Sequence, residues 1–347
     1  MSRFTRVFIL LRNLPLLLGV LLVSPAQAWG PAGHHVVGAI ADQLLANTPA
    51  AQQVQNILGM DLQTAAVWLD CARGVSQKNG QFSYSNDPAR YPDCAVFDAP
   101  DDAARFVDYI QHNWDACHPT PDQEQCHAQY HYTDVAIQRD AYVTGETGTS
   151  DHDVVHALQA AITVLQGGTA PAPFVIKDQR TALLMIAHLA GDLSQPLHVA
   201  AIYLDKNGKP VDPDQSTYDP ATGTVGGNAL RDGKNKLHTE WDDIPASLSS
   251  AAALSQDVKL ASAIPAMQGD ISTWPQAWAT DTLGVGKQAF AGLKFKPETG
   301  NSWALLPPGA AYATRRVQIQ GQQLVKGGAW LAQILRAIWP DAGGASH

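Results

Sequence analysis

After residue 28 the chain contains no apolar run approaching the ~20 residues that a membrane-spanning helix requires, so nothing there reads as a transmembrane segment. It has no C-x-x-C spacing, which argues against a cysteine-ligated zinc site. It also lacks an Asn-x-Ser/Thr sequon, which favours a bacterial exported chain over a eukaryotic secreted one. Alternating strand-like runs are nearly absent, and no internal repeat, low-complexity linker or composition shift marks a domain boundary. Basic residues are outnumbered as well, 23 against 32 acidic ones, for a formal charge of −9. A non-catalytic nucleic-acid binder normally carries a basic footprint, so the balance lowers the odds of that class. Several bound divalent cations would change the local sum, so an enzyme that uses metals is penalised less.

Residues 1–28 read as a cleavable signal peptide. Arg3, Arg6 and Arg12 form a basic start, Leu14 to Val23 is a short apolar core, and Ala26-Gln27-Ala28 is a small-x-small cleavage site. That segment holds three arginines and no acid, so the basic count falls from 23 to 20 and the charge moves to −12. Residues 29–347 then form one domain, exported to the periplasm or the medium. Four cysteines in an exported chain suggest two disulfides out of three possible connectivities. Cys117 and Cys126 flank a Pro-containing loop and are paired here, which leaves Cys71 with Cys94.

The periodicity is helical. Apolar residues recur at three- and four-residue spacing over Val36 to Leu45, Asp102 to Asn113, Asp153 to Leu165, Asp178 to Leu193 and Val317 to Ile338. Between them, Gly74 to Pro100, Pro119 to Gln125, Asp205 to Asn235 and Gly284 to Ala310 read as long ordered loops. The predicted fold is all-α, a single mainly helical domain with long disulfide-tethered loops.

Two His-x-x-x-Asp pairs carry the first chemical signal. His188 and Asp192 share a face of an otherwise apolar helix, where a carboxylate needs a partner or a metal to offset its desolvation. Pro196 stops that helix and His198 follows; the second pair is His238 and Asp242. Chance supplies roughly one such pair in a chain of this composition, and a lone pair is more often a salt-bridged helix face. A third pair, His118 and Asp122, lies in a Pro-rich loop and reads as accidental. His35 would point away from the ligands, and His112, His127, His152 and His156 show no convergent partners.

The whole ordered set is more specific: Trp29-Gly-Pro-Ala-Gly-His34, Trp68-Leu-Asp70-Cys-Ala-Arg73, His131-Tyr132-Thr-Asp134, His188 to His198, Gly226-Gly-Asn228, and His238-Thr-Glu-Trp-Asp242. With the last helix, Gln322 to Leu335, this resembles the single-strand-specific zinc nucleases of the S1/P1 type, relatives of the bacterial zinc phospholipases C. The resemblance implies three zinc ions. One would be held by Asp70, His131, His188 and Asp192. A second would take the α-amine and carbonyl oxygen of Trp29 with His34, sharing Asp192. The third would be bound by His198, His238 and Asp242. It also implies Asp70 and Arg73 as catalytic residues, with Tyr132 stacking a base and Asp134 reading its edge. From the residues alone, Tyr132 as core packing and Asp134 as a helix cap stand at even odds with those roles.

The expected activity is endonucleolytic hydrolysis of single-stranded RNA and DNA to 5′-phosphate products, with 3′-nucleotides as further substrates, by a monomer. A zinc phospholipase C is the second reading, although such lipases tend to end the last ligand pair with Glu where this chain has Asp242. A non-catalytic zinc-binding protein is the third, and it leaves Asp70 and Arg73 together unexplained. The stretches Asp205 to Gly223, Trp278 to Thr282 and Lys294 to Pro308 depart from the family pattern and put substrate preference in doubt, not the metal chemistry.

Overall fold

The computed structural model describes residues 29–215 and 217–341, so the expected signal peptide lies outside the described residues. The helices run, in chain order, α1 Pro31–Leu45, α2 Pro49–Leu58, α3 Leu62–Ala65, α4 Trp68–Cys71, α5 Pro100–His112, α6 Cys126–Gln129, α7 Val154–Leu165, α8 Gln179–Ser194, α9 Leu237–Asp242, α10 Ala251–Ser262, α11 Trp274–Phe290 and α12 Ala310–Ile338. Among the described residues no strand exceeds four residues, so the mainly helical architecture agrees with the periodicity. All five predicted helices form. α1 starts earlier than its apolar pattern because Pro31 sits at the first helical position, where its fixed φ and missing N–H cost nothing.

The core is organised around α8. Every residue from Thr181 to Ser194 is buried, and α1, α7, α11 and α12 pack against this one helix. Its start is fixed by the Asp178 side chain, which accepts from the Thr181 N–H at 2.7 Å, and Pro196 prevents its continuation. A carboxylate and an imidazole on such a helix cannot reach bulk water, so Asp192 and His188 must be satisfied inside the protein.

The predicted loops contain more structure than their composition indicated. Gly74 to Pro100 contains an antiparallel hairpin, Val75–Lys78 with Gln81–Tyr84, and a short 3-10 helix over Pro92–Phe97. Asp205 to Asn235 contributes Pro210–Val211, which pairs with Tyr203–Leu204, and Leu230–Asp232, flanked by Asn235–Lys236 and Trp303–Ala304. The loop expected from Gly284 onward begins later, because α11 continues to Phe290. Both disulfides join the cysteines paired from the sequence, Cys71–Cys94 and Cys117–Cys126, with Cα separations of 5.4 and 5.6 Å.

The histidines dismissed as partnerless are not all so. His156 lies 3.0 Å from Asp153, His152 lies 2.7 Å from Asp151, and His112 contacts Asp108. Asp153 deserves its burial: it caps α7 through the Val155 and His156 N–H groups and accepts from the buried Tyr142 hydroxyl at 2.7 Å. Asp153→Ala removes the cap and leaves a buried hydroxyl without its acceptor. The expected loss is about 2–4 kcal/mol of unfolding free energy, measured by urea titration with both disulfides intact. A loss below about 0.5 kcal/mol would show that water replaces the carboxylate at no cost.

Candidate metal centre

Four separate parts of the chain bring imidazoles and carboxylates to one place. α8 supplies His188 and Asp192 one turn apart, and α1 supplies His34. The segment after α6 supplies His131. It is held against the segment after α8 by the Thr133 N–H donating to the His198 carbonyl at 2.8 Å and by the short parallel ladder of Val135–Ala136 with Ala200–Ala201. α4 supplies Asp70, followed by Arg73, and the disulfide at Cys71 fastens this corner.

Asp192 is at the centre. Its Oδ2 lies 2.9 Å from His131 Nδ1 and 3.2 Å from His188 Nε2, while its Oδ1 lies 3.3 Å from His34 Nε2. Close approach of α8 to α1 makes this possible. A Cβ on Gly191 would stand 2.9 Å from His34 Nδ1, so any side chain there would push the imidazole away. The rings of His34 and His188 stack with centroids 3.9 Å apart.

Three sets of donor atoms each converge within 4.8 Å: His34, His188 and Asp192; Asp70, His131 and His188; and His198, His238 and Asp242. The eight ligand side chains anticipated from the sequence are all included. The grouping differs from the expected one in two details: His188 belongs to two of the sets, and Asp192, expected to be shared, belongs to one. Trp29 is fully buried beside them. Its indole N–H donates to Ser194 Oγ at 3.0 Å, and the N–H of Gly30 donates to the Asp242 carbonyl at 3.0 Å. This places the start of α1 between the two ends of the cluster.

The hydrogen bonds prepare these atoms for a cation. A carbonyl can only accept, so His188 Nδ1 donates to Ala66 O at 2.7 Å, His198 Nδ1 to His131 O at 2.8 Å, and His238 Nδ1 to Gly226 O at 2.6 Å. In the neutral ring each bond leaves the lone pair on Nε2, as outer partners of metal-binding histidines do. The Nε2 atoms of His198 and His238 then face one another at 3.1 Å. Two converging lone pairs repel unless a proton or a metal ion lies between them. Both ring nitrogens of His34 and one oxygen each of Asp70 and Asp192 are buried without a hydrogen-bond partner, although His34 and Asp192 are in ionic contact. Orphaned donors of N and O type in this number fit zinc.

The electrostatics agree. Burial, then the charge of His188, depresses the His34 imidazole to about 4, and burial with the nearby Arg73 depresses His131 to about 4, so both are neutral donors at ordinary pH. Burial opposes ionisation of Asp192, but His188, His131 and His34 hold it well below the usual carboxylate range. Asp70 is likewise held low against its burial, first by Arg73. Burial, with the nearby carboxylates of Asp70, Asp243 and Asp192, raises Asp242 well above its ordinary value against the hydrogen bond from Gln195. A divalent ion would supply the charge this carboxylate lacks.

Arg73 Nη2 lies 3.4 Å from Asp70 Oδ1, while its Nε and Nη1 are buried without acceptors. Tyr132 is half-buried, its hydroxyl donating to Glu124 at 3.4 Å, and Asp134 caps no helix; its Oδ1 is buried and unpartnered. Burial raises the Asp134 carboxyl to about 7. His35 points away from the cluster and reaches Asp93 at 3.1 Å. A cavity of about 720 Å³ between α1, α10 and α12 contains none of these side chains.

The sequence did not reveal Gln195, whose amide donates to Asp242 Oδ1 at 2.7 Å while its carbonyl accepts from the Leu197 N–H at 2.5 Å. Nothing in its spacing marks it, because the contact joins residues 47 apart. Gln195→Met keeps the volume and removes both bonds. The expected result is a roughly 10–100-fold weaker affinity for one metal equivalent, read by competition with a chelating dye. An unchanged affinity would mean that Asp242 needs no support.

Residues 29–340 match the family model described as S1/P1 Nuclease. No curated protein matches the chain.

Proposed function

Because the chain belongs to the S1/P1 nuclease family, whose members are zinc-dependent hydrolases of nucleic acid, we propose that it is a three-zinc endonuclease for single-stranded RNA and DNA that also acts on 3′-nucleotides. The observation that carries this reading is the convergence of eight N and O donor residues, seven buried and Asp70 half-buried, into three sets, beside an arginine whose inner N–H groups lack acceptors. Asp70, His131, His188 and Asp192 would hold one ion. Trp29, through its α-amine and carbonyl oxygen, would hold a second with His34, Asp192 bridging the two. His198, His238 and Asp242 would hold the third. The α-amine exists only if residues 1–28 are removed, so export and activation are one event on this reading.

When bound, zinc supplies Lewis acidity and lowers the pKa of water from ~15.7 toward ~7. The chain's own groups do the rest. Asp70, kept ionised by Arg73, accepts a hydrogen bond from the attacking water and orients it in line with the departing 3′-oxygen. Arg73 donates its unpartnered N–H groups to the phosphoryl oxygens, where charge grows in the transition state. The bond to the 3′-oxygen breaks, so the product carries a 5′-phosphate. Tyr132 offers a ring face to an unpaired base, and Asp134 offers an acceptor to its edge; stacking of this kind contributes ~1–3 kcal/mol per base and requires a single strand.

The test is to express the chain with its own leader, measure zinc by elemental analysis and assay single-stranded DNA and phosphatidylcholine micelles side by side. About three zinc ions per chain and chelator-sensitive release of 5′-nucleotides are expected, one ion for each of the three donor sets. Nucleolysis that survives exhaustive zinc removal would reject the mechanism, and hydrolysis of the lipid alone would reassign the substrate.

A further inference from the structure

The stretch Asp205 to Gly223 departs from the family pattern, and the chemistry above makes no use of it. Its two ends are fastened at one place. Tyr203–Leu204 pairs with Pro210–Val211, Tyr203 bridges Gly223 in the antiparallel sense, and the Thr224 hydroxyl donates to the Ile202 carbonyl at 2.5 Å. The middle is tied down as well. Arg139 lies 2.7 Å from Asp212 and also contacts Asp214, whose other oxygen accepts from the Thr147 N–H at 3.2 Å. The Asp219 side chain caps the turn Pro220–Thr222 through the Ala221 N–H at 3.0 Å. A loop held at this many points has little further freedom to lose when a ligand binds.

This loop presents Tyr218 beside Asp134. Tyr218 is 41% exposed and meets the buried Tyr203 in a T-shaped contact, with ring centroids 6.1 Å apart. The Tyr203 hydroxyl in turn donates to the Asp134 carbonyl at 2.9 Å. A second route through the fold leads to the same place. A Cβ on Gly223 would stand 3.6 Å from the Tyr218 hydroxyl, and a Cβ on Gly226 would stand 3.5 Å from Asp134 Oδ1 and 3.3 Å from His238 Nδ1. Burial, then the charges of Asp134 and Asp219, raises the Tyr218 phenol above its ordinary value, in keeping with that proximity. A T-shaped contact covers at most one face of each ring, which leaves the other face of this exposed side chain for a ligand.

We propose that Tyr218 is a second stacking platform, which takes a base of the unpaired substrate strand beside Asp134 and adds to the contact assigned to Tyr132. The inference rests on the nuclease reading above. Stacking needs no cation, so it supplies affinity that a chain of net charge −9 is poorly placed to draw from phosphates. Tyrosine makes such a contact through a rigid ring with only two rotatable angles to fix.

The experiment compares the zinc-loaded wild type with Tyr218→Ala, Tyr218→Leu and Tyr218→Phe. Binding of labelled phosphorothioate oligothymidylates of about ten nucleotides, each with one abasic position in turn, is followed by anisotropy. Cleavage of the ordinary oligonucleotide gives kcat and KM. Tyr218→Ala and Tyr218→Leu are expected to weaken binding and to raise KM about fivefold to thirtyfold, with kcat within about twofold, whereas Tyr218→Phe stays within about twofold of the wild type. Loss of one particular base should weaken the wild type by a similar factor and have no further effect on Tyr218→Ala. A role confined to holding the loop would be met by leucine as well as by phenylalanine and would couple to no single base. Losses that multiply at every abasic position, a leucine variant that binds like the wild type, or a phenylalanine variant as weak as alanine overturns the proposal. A wild type that neither binds nor cleaves the oligonucleotide overturns the nuclease reading and this inference with it.

Discussion

Asp192→Asn is expected to leave the chain folded, to strip about two of three zinc ions and to lower turnover on single-stranded DNA by roughly a thousandfold or more. The reason is its position. One carboxylate touches His131 and His188 through Oδ2 and His34 through Oδ1, so it reaches members of both of the first two donor sets although it belongs to one. Asparagine has the same shape but turns one of those oxygens into an NH2 group, which cannot donate a lone pair and would face an imidazole or an ion. The third set, His198, His238 and Asp242, lies outside this reach and should keep its metal. Elemental analysis of the purified variant, with circular dichroism to verify the fold, decides the matter. Full zinc content with turnover within tenfold of the wild type would show that Asp192 is a structural partner of the histidines and not a shared ligand.

A chain that retains two extra residues, Gly-Ser, ahead of Trp29 is expected to be nearly inactive, by on the order of a hundredfold or more, although its sequence from Trp29 onward is unaltered. Trp29 is fully buried, and the N–H of the next residue is committed to the Asp242 carbonyl. A peptide nitrogen in place of the α-amine is not a donor to metal, since its lone pair is delocalised into the carbonyl. An α-amine titrates near ~8 and yields its proton to a cation. The extended chain should therefore hold about one ion fewer, and treatment that removes the two residues should restore both zinc and activity. Equal activity before and after that treatment would remove Trp29 from the ligand set.

Much of this was legible because a metal site forces residues into places that burial would otherwise forbid. His188 and Asp192 stand out in a run of apolar residues, and the helix that carries them proves to be buried along its length. The terminal helices were legible for the ordinary reason, a sustained apolar stripe. α11 was misjudged because Gly284 and Gly286 read as loop residues. The helix persists because Trp278, Leu283, Ala289 and Phe290 are buried along it, and Gly286 is needed where a Cβ would stand 2.2 Å from the Ala200 side chain. α9, only six residues long, offers too few turns for any period to appear. Contacts such as Gln195 with Asp242, or Glu124 with Tyr132, belong to the folded arrangement and leave no local trace.

The Cys71–Cys94 bridge has a consequence for how such a protein can diversify. It fastens two positions 23 apart in sequence at one point, with Asp70 just before it and Arg73 just inside it. The hairpin folds back to that point, where the Ser85 N–H meets the Gly74 carbonyl at 3.0 Å. Beyond this clasp, the tip at Asn79-Gly80 is exposed, with no neighbour within 4 Å of a Cβ at Gly80. Closing a longer loop costs only about 0.6 kcal/mol for each doubling in length. The stretch between the cysteines can thus be lengthened, trimmed or exchanged as an inheritable cassette, while Asp70 and Arg73 stay anchored where they are.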